Sequence, residues 1–391
     1  MDFNLSPDQQ RLQDQVAAFA ASEIRPVAER LDAEGKVPLA LFAKLADLGV
    51  TSIPFAPEWG GMGLGVFDMV LALEQIARAD QSLAVTTMVS VATGLTLQRF
   101  GSEEQKARFL PDIVSGAKLC SIAGTEPNAG SDTSGFTTSA QLIDGQWRID
   151  GEKAFITNPG TDISSFALVL AVTGQRDSGA KTFTLFLVPN GASGYTVGKA
   201  YDKLGWRSSD TRPLYFDGCE IAPSLVVGEA HQGRHILHKG YQQARLFLAA
   251  SSLGLAQACL DESLAYAKQR RAFGVTLGGL QLVAQMVAEM ALKVETARLL
   301  VYRAATLSDQ GQASLKDLAL AKWHATEVGN EAANLAIQVH GGWGFMQDCP
   351  VSRYLRDNRI CTIGDGSSQI QQLIVARELG LEAAFGRRPI A

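Results

Sequence analysis

The chain has 391 residues, a formal net charge of -5 and a hydrophobic content of 46%. A chain of this length predicts two or three domains and buries an adequate core without disulfides or metals, which excludes small cross-linked scaffolds. Mild acidity with interleaved charges argues against nucleic acid as the main partner and against an anionic membrane surface. The sequence shows no signal pattern and no apolar run that could span a bilayer, so we expect a soluble cytoplasmic protein. The five scattered cysteines form no C-x-x-C pair, which is typical of reduced thiols in the cytosol.

Residues 1–116 have the apolar spacing of helices. Ser6, Pro7 and Gln9 form a capping-box start. A helical stretch that ends at Gly49 is followed by the glycine-rich break of residues 59–63, and helical spacing returns from Phe67 to about residue 79. We therefore predict an N-terminal α domain.

Residues 117–232 change to the pattern of a β domain. Ser139–Ile143 and Trp147–Ile149 flank Asp144-Gly145, which is a strong hairpin signal. Further short strands are predicted at 167–172, 182–188, 195–197 and 214–216. Strands this short, with no long helix between them, favour a small β-sandwich or barrel.

Residues 233–391 return to helical spacing. Long helices are predicted at 244–269, 280–308, 315–339 and 368–379, with apolar residues on more than one face. This pattern predicts a C-terminal four-helix bundle that also supplies an oligomer interface, and the fold class is therefore α+β.

Three histidines have the spacing of a metal site. His231, His235 and His238 lie at i, i+4 and i+7, but Gly233 interrupts the run and no acidic ligand follows. We expect solvated histidines at a domain boundary and no metal. The chain also lacks a G-x-S-x-G elbow, a Walker A loop and a G-x-G-x-x-G turn between strand and helix, so ordinary nucleotide-binding folds are disfavoured.

Two polar, glycine-rich regions offer backbone N–H groups to a ligand. The first is Thr125–Asp132, and the second combines residues 340–344 with residues 364–368. Ser367 or Ser368 is a candidate cap for the last long helix, whose N-terminus favours anions. By position alone, Asp365 is as consistent with a helix N-terminal charge as with a catalytic carboxylate.

Six ordered motifs resemble the acyl-CoA dehydrogenase family over the whole chain. They are Pro57–Gly63 (one residue shorter than the family's P-E-x-x-G-G-x-G), Thr125–Asp132, Gly151–Asn158, Arg270–Gly274 with Gln281, Gln338–Gly344, and Gly366–Arg377 with Ser367 in place of Thr. The resemblance implies an oxidoreductase of fatty acid metabolism with FAD held outside a Rossmann fold. It also implies an α domain, a β domain and a four-helix bundle, and a homo-oligomer, usually a tetramer, with an electron-transfer flavoprotein as acceptor.

The resemblance also assigns residues to roles. The flavin ring and its neighbourhood would contact Ile122, Ala123, Thr125, Gly130, Ser131, Phe155, Thr157, Ser367 and Gln369. The adenosine diphosphate part of FAD in a neighbouring subunit would contact Arg270, Phe273, Gln281, Gln338, Gly341 and Gly342. The acyl thioester, carried by CoA or by an acyl carrier protein, would contact Ser131, Tyr241, Arg245, Gly364 and Gly366.

The position of the catalytic base departs from the family pattern. Many relatives read Y-E-G-T with Glu as the base, whereas this chain reads Gly364-Asp365-Gly366-Ser367, and the alternative base position is occupied by Ala244. Asp365 is therefore the only carboxylate at either recognised base position, with a reach about 1.5 Å shorter than that of Glu. Together with the missing aromatic at Gly364, this predicts an α-branched, cyclic or otherwise non-linear acyl group.

Two other functions stay open. The nitroalkane oxidases of the same superfamily use an Asp at the matching position, but they depart from the T-E-P-x-A-G-S-D motif that this chain largely retains. A non-catalytic FAD-binding homologue would fit the loss of the Glu. The intact FAD motifs and the carboxylate at the base position favour the dehydrogenase.

Overall fold

A computed structural model describes residues 4–382. Its N-terminal part is helical, with α1 (Pro7–Phe19), α2 (Ala28–Glu34), α3 (Leu39–Asp47), α4 (Val66–Ala79), α5 (Gln81–Phe100) and α6 (Glu103–Val114). The predicted capping box is confirmed, because the Ser6 hydroxyl accepts the N–H of Gln9 at 3.2 Å and the Gln9 side chain accepts the N–H of Ser6 at 3.0 Å. Helices α4 and α5 are almost wholly buried and form the centre of this domain.

The middle of the chain forms one eight-stranded β-sheet. They are β1 (Leu119–Ala123), β2 (Ser139–Ile143), β3 (Gln146–Thr157), β4 (Ser164–Gln175), β5 (Lys181–Pro189), β6 (Tyr195–Val197), β7 (Thr211–Ile221) and β8 (Val226–Val227). The strand order is β6-β7-β3-β2-β4-β5-β8, and β1 pairs in parallel with β4. The predicted hairpin turn joins β2 to β3, with φ of 49° at Asp144 and 78° at Gly145, as a tight hairpin turn requires.

Two strands are much longer than the sequence predicts. Strand β3 continues past Ile149 to Thr157, and β7 extends on both sides of the predicted 214–216 segment. The period-2 pattern is broken in β3 because the pairing register shifts between Ile149 and Gly151, and because the charged Lys153 points inward. Strands β1 and β8 are not predicted: β8 has only two residues, and β1 joins the sheet through a parallel pairing with β4 that no local turn signals.

The C-terminal part consists of α7 (Gly233–Gln269), α8 (Gln281–Asp309), α9 (Leu315–His340), α10 (Pro350–Asn358) and α11 (Ser368–Glu378). Helix α7 begins eleven residues before the predicted start, because its first turns are mostly polar in sequence although Ile236, Leu237 and Gly240 are buried. His231 precedes the helix, with φ of 67° and its Nδ1 atom 2.9 Å from Thr173 Oγ1. The three histidines therefore do not share a helical face.

Helix α7 connects the domains. It packs on α4 and α5 of the N-terminal part and on α8 and α9 of the bundle. The approach to α4 is so close that a Cβ atom on Gly254 would lie 2.1 Å from the carbonyl oxygen of Glu74. One apolar core runs through the helices and the adjoining face of the sheet, and a second lies within the sheet, where the rings of Trp147 and Phe186 are 5.3 Å apart. Within residues 4–382, no helix is both long enough and apolar enough to cross a membrane.

Candidate active site

Asp365 lies in the turn that precedes α11. The turn is left-handed at two successive residues, with φ of 51° at Asp365 and 89° at Gly366. Its carbonyl groups accept hydrogen bonds from three helices: Arg245 Nε of α7 lies 3.2 Å from the Asp365 carbonyl oxygen, and Lys322 Nζ of α9 and Gln371 Nε2 of α11 each lie 2.8 Å from that of Gly366. The backbone that carries the candidate base is therefore fixed.

The surroundings of Asp365 favour a proton acceptor. Burial raises the pKa of its carboxyl group, and the nearby charges of Lys322 and Arg245 counteract part of that rise. Asp365 keeps some solvent exposure, which moderates both effects. Burial and the charge of Asp365 also raise the pKa of Tyr241, so this phenol stays protonated and can donate. A carboxyl group whose pKa rises toward neutrality is suited to general base catalysis.

The loop that contains Thr125 is anchored by a buried ion pair. Lys153 Nζ lies 2.8 Å from Glu126 Oε1 and 3.0 Å from the carbonyl oxygen of Gly124. Glu126 also accepts the N–H groups of Thr137 and Thr138, at 2.6 and 3.0 Å. Burial lowers the pKa of Lys153 to about 8, with Glu126 opposing the shift. The pKa of Glu126 is lowered in turn, since Lys153 and the hydrogen bonds outweigh burial.

This loop meets the end of β3, where the predicted ring contacts lie. The N–H of Ala154 donates to the carbonyl oxygen of Thr125 at 2.9 Å, which sets Thr125 beside Phe155. Phe155 has φ of 61° and a side chain 63% exposed, an unusual state for an aromatic residue in a strand. Its ring can therefore lie against a planar ligand.

The other residues predicted to lie near the flavin ring differ in their solvent exposure. Ala123 is buried, Ile122 and Thr157 are half-buried, and Gly130 and Ser131 are exposed. Ser367 caps α11 by accepting the N–H of Ile370 at 3.4 Å. Gln369 is exposed in the first turn of that helix.

Four of the predicted substrate residues, Tyr241, Arg245, Gly364 and Gly366, lie next to Asp365, whereas Ser131 lies in the exposed part of the Thr125 loop. A Cβ atom on Gly124 would lie 2.6 Å from the hydroxyl of Tyr241, so a side chain there would displace the phenol. A Cβ on Gly366 would likewise meet Gln371 Nε2 at 2.6 Å. Gly364 differs, because the nearest atom to its Cβ would be the Ile360 carbonyl oxygen at 3.7 Å. The chain leaves space at Gly364.

A separate cavity of about 610 Å³ lies between the end of α7 and the end of α9. Four residues that the resemblance assigns to adenosine diphosphate line it: Arg270, Gln338, Gly341 and Gly342. A Cβ atom on Gly341 or Gly342 would meet nothing within 4 Å, so the backbone there is open to a ligand.

The other two residues of that set stand outside the lining. Phe273, between the two-residue strands β9 (Arg271–Ala272) and β10 (Val275–Thr276), is 93% exposed, and Gln281 is exposed at the start of α8.

Sequence reasoning missed Lys322. This lysine is fully buried and lies on the apolar face of α9, where Leu318, Ala321 and Ala325 are also buried. A charged residue within an apolar stripe at helical spacing is the signal that could have identified it.

Comparisons with known proteins agree over the whole chain. Family models of acyl-CoA dehydrogenase match in order, the N-terminal domain at residues 6–117, the middle domain at 121–219 and the C-terminal domain at 231–380. The probable acyl-CoA dehydrogenase YngJ of Bacillus subtilis is 38% identical over 97% of this chain and 100% of its own length. Human mitochondrial short-chain specific acyl-CoA dehydrogenase is 38% identical over 92% of this chain and 87% of its own. Butyryl-CoA dehydrogenase of Megasphaera elsdenii superposes with a TM-score of 0.93 at 33% identity, over 97% of this chain and 100% of that one.

The residues present fit FAD. The exposed ring of Phe155 offers a surface for the flavin, and the cavity with open glycine backbone and Arg270 at its rim suits a diphosphate. The fold, the sequence identity to relatives along nearly the whole chain, and the three family models matched in order all agree with an FAD-binding protein. The chain therefore belongs to the acyl-CoA dehydrogenase family of FAD-dependent oxidoreductases.

Proposed function

We propose that the chain catalyses the α,β-dehydrogenation of an acyl thioester, with Asp365 as the base that removes the α-proton. The observation that carries the proposal is the environment of this carboxyl group, whose backbone is fixed from three helices and whose pKa is raised by burial. Both properties are required of a proton acceptor that must meet one carbon atom of a bound substrate.

The protein's own groups would act around the reacting carbons. An oxygen of the Asp365 carboxylate takes the proton, and its N–H group, by resemblance to the family, donates to the thioester carbonyl as negative charge develops there. FAD, when bound, supplies the acceptor for the β-hydrogen. Tyr241 and Arg245 border the space beside Asp365 and keep the carboxylate among polar donors.

The shape around Gly364 supports a non-linear acyl group. A side chain at this position would fit without a close contact, so its absence leaves volume next to the base. The shorter Asp365 needs an α-carbon that lies closer to the backbone, and this volume admits a branch or ring at that carbon.

FAD would be held by two parts of different subunits. The Thr125 loop and the end of β3 would contact the ring, with Ser131 close to both ring and thioester. The 610 Å³ cavity would contact the adenosine diphosphate of a partner's cofactor. This arrangement requires a homo-oligomer, with a tetramer as the family form, and an electron-transfer flavoprotein is the acceptor that the family implies. We further propose a cytoplasmic location.

The test is anaerobic bleaching of the bound flavin by a panel of linear, branched, cyclic and aromatic acyl-CoAs. Wild-type enzyme should be bleached, best by a branched or cyclic member. Asp365→Asn should retain FAD and slow flavin reduction by about a hundredfold to ten-thousandfold, which is the typical contribution of a general base. Asp309→Asn is the matched control: Asp309 also has a pKa raised by burial, but it caps α4. Full reduction of the Asp365→Asn enzyme would remove Asp365 as the base.

The Asp at the base position also favours a second candidate, a nitroalkane oxidase. Oxygen uptake with a nitroalkane, together with no bleaching by any acyl-CoA or acyl carrier protein thioester, would establish the oxidase instead.

A further inference from the structure

We propose that Lys322 is the positioning residue of Asp365: its buried ammonium group fixes the turn that carries the base and is the counter-charge of the base's carboxylate. This inference deepens the proposed function and rests on it for the role of Asp365.

Lys322 lies in α9, but its side chain holds the turn that carries Asp365. It has no exposed surface, and its Nζ atom reaches from α9 to the Gly366 carbonyl oxygen at 2.8 Å. That carbonyl group belongs to the second of two successive left-handed residues, a conformation that costs energy for Asp365. The hydrogen bond holds in place the segment that aims the Asp365 side chain.

The charge of Lys322 has no ordinary partner. Within residues 4–382, no carboxylate oxygen lies within 4 Å of its Nζ atom, although a buried ammonium group is rarely left uncompensated. Three nearby groups can supply negative charge, namely Asp365, the Cys361 thiol and Glu327. Glu327 is engaged by the Ser368 hydroxyl at 2.5 Å, and burial raises the pKa of Cys361 to about 12, so this thiol stays neutral.

The opposing side of the site carries Arg245 and Tyr241 of α7. Arg245 adds a second positive charge to the surroundings of Asp365, and Tyr241 stays protonated. Asp365 is thus the foremost carboxylate that balances Lys322, ahead of Glu327. Burial lowers the pKa of Lys322 to about 8 with Asp365 the foremost opposing charge, and Lys322 is the foremost charge opposing the effect of burial on Asp365. Lys322 therefore favours the ionised form of the base, which is the form that accepts a proton.

A substrate-free test measures the coupling directly. The thermal unfolding of FAD-loaded wild type, Lys322→Met, Asp365→Asn and the double variant is compared at pH 7. Lys322→Met leaves the carboxylate of Asp365 partly buried without its counter-charge, so adding Asp365→Asn should raise the unfolding temperature above that of Lys322→Met alone. Additive losses of the two single variants would overturn the proposal. If Lys322→Met does not fold, Lys322→Gln retains a donor for the Gly366 carbonyl group and replaces it in the cycle.

A second test uses the rate of flavin reduction as a function of pH, with the acyl-CoA that bleaches the wild type best. Lys322→Gln should shift the acid limb of the profile upward by about one pH unit, because the carboxyl group loses a stabilising positive charge. Lys322→Arg should restore the wild-type limb. Lys203→Gln is the control, since burial likewise lowers the pKa of Lys203 to about 8, but this half-buried lysine binds Ser209 and Thr211 of the β domain. An acid limb that stays unchanged in Lys322→Gln would contradict the proposal.

The two tests separate this inference from the proposed function. If no thioester bleaches wild-type FAD, the dehydrogenase proposal fails while the unfolding cycle still reports on the Lys322–Asp365 pair. If the flavin is bleached and the cycle is additive, only the role of Lys322 fails.

Discussion

At the scale of single residues, the left-handed turn at Asp365 suits an aspartate as the base that we propose. Asp tolerates the left-handed region better than longer side chains do, because its short polar group can hydrogen-bond locally. The adjacent Gly364 leaves room at the same place. A glutamate at 365 would therefore reach farther but would adopt the left-handed backbone conformation less readily. A larger residue at 364 would fill the space that a branched acyl group needs.

We predict that Asp365→Glu combined with Gly364→Tyr shifts preference toward linear acyl chains. The ratio of kcat/KM for a linear over a branched or cyclic acyl-CoA should rise by at least about tenfold, which is the lower limit of the discrimination that one methylene group gives in an apolar pocket. Gly364→Ala is the control, since a methyl group fits at 3.7 Å from its nearest neighbour and should change the ratio little. An unaltered ratio in the double variant would argue that Gly364 does not shape the acyl site.

The sequence could predict Asp365 as a site residue but not Lys322. Asp365 could be named because it occupies a motif position, and the motif predicts its neighbours along the chain. Lys322 lies 43 residues earlier in a helix, so no local pattern connects it to Asp365. Only the packing of α9 against α11 brings the two together.

At the scale of elements, α10 fastens the loop before β7 to the bundle. Asp357 accepts the N–H of Trp206 at 2.7 Å, and Arg353 of the same helix is paired with Asp80 at 2.7 Å. All three charged groups are buried. Burial raises the pKa of Asp357 to about 7, with Arg353 opposing the rise.

We predict that Asp357→Asn stabilises the protein at alkaline pH relative to wild type. The folded carboxyl group binds its proton up to about pH 7, whereas the unfolded one releases it near its ordinary value of 3.8. Wild-type stability therefore falls as the pH rises between these values, and the loss is complete above about pH 7. Asparagine retains an acceptor for Trp206 and does not ionise, so the difference in unfolding temperature should grow by a few degrees from pH 5 to pH 8. Exposed Asp348→Asn should show no such trend, and a constant difference for Asp357→Asn would contradict the assignment.

Helices and strands could be predicted from the sequence where a single helical or strand spacing of apolar residues runs through the whole segment. The ends of α8, α9 and α11 lie within one residue of the sequence prediction, because their apolar stripes end at Gly, Ser or polar residues. Strand β3 was seen only in part, since its second half buries a lysine whose partner lies in another segment. Tertiary pairing, absent from local periodicity, determined that strand.

At the scale of the whole molecule, the C-terminal part of the chain exposes several large apolar side chains. They include Phe273 at 93%, Phe345 at 80%, Leu282 at 74% and Trp343 at 59%. Exposed apolar clusters of this kind mark protein interfaces. Trp343 lines the 610 Å³ cavity, and Leu282 and Phe345 adjoin lining residues in the chain, which agrees with the proposed site shared between subunits.

We predict that Phe273→Ser lowers both oligomer content and FAD occupancy. The large exposed ring would be buried by a sister subunit, so its loss should weaken association by at least about tenfold. Light scattering and the ratio of flavin to protein absorbance measure the two quantities. Leu142→Ser is the control, because Leu142 is 58% exposed on β2 of the middle domain. An intact oligomer with full FAD content in Phe273→Ser would exclude this residue from the interface.

The buried Lys153–Glu126 pair has a further consequence for cofactor capture. It ties the Thr125 loop to β3 and to residues 137–138 through protein groups alone. The conformational entropy of that loop is therefore lost when the chain folds and not when the flavin arrives. The part of the proposed flavin site that Glu126 and Lys153 hold is thus ordered before FAD binds.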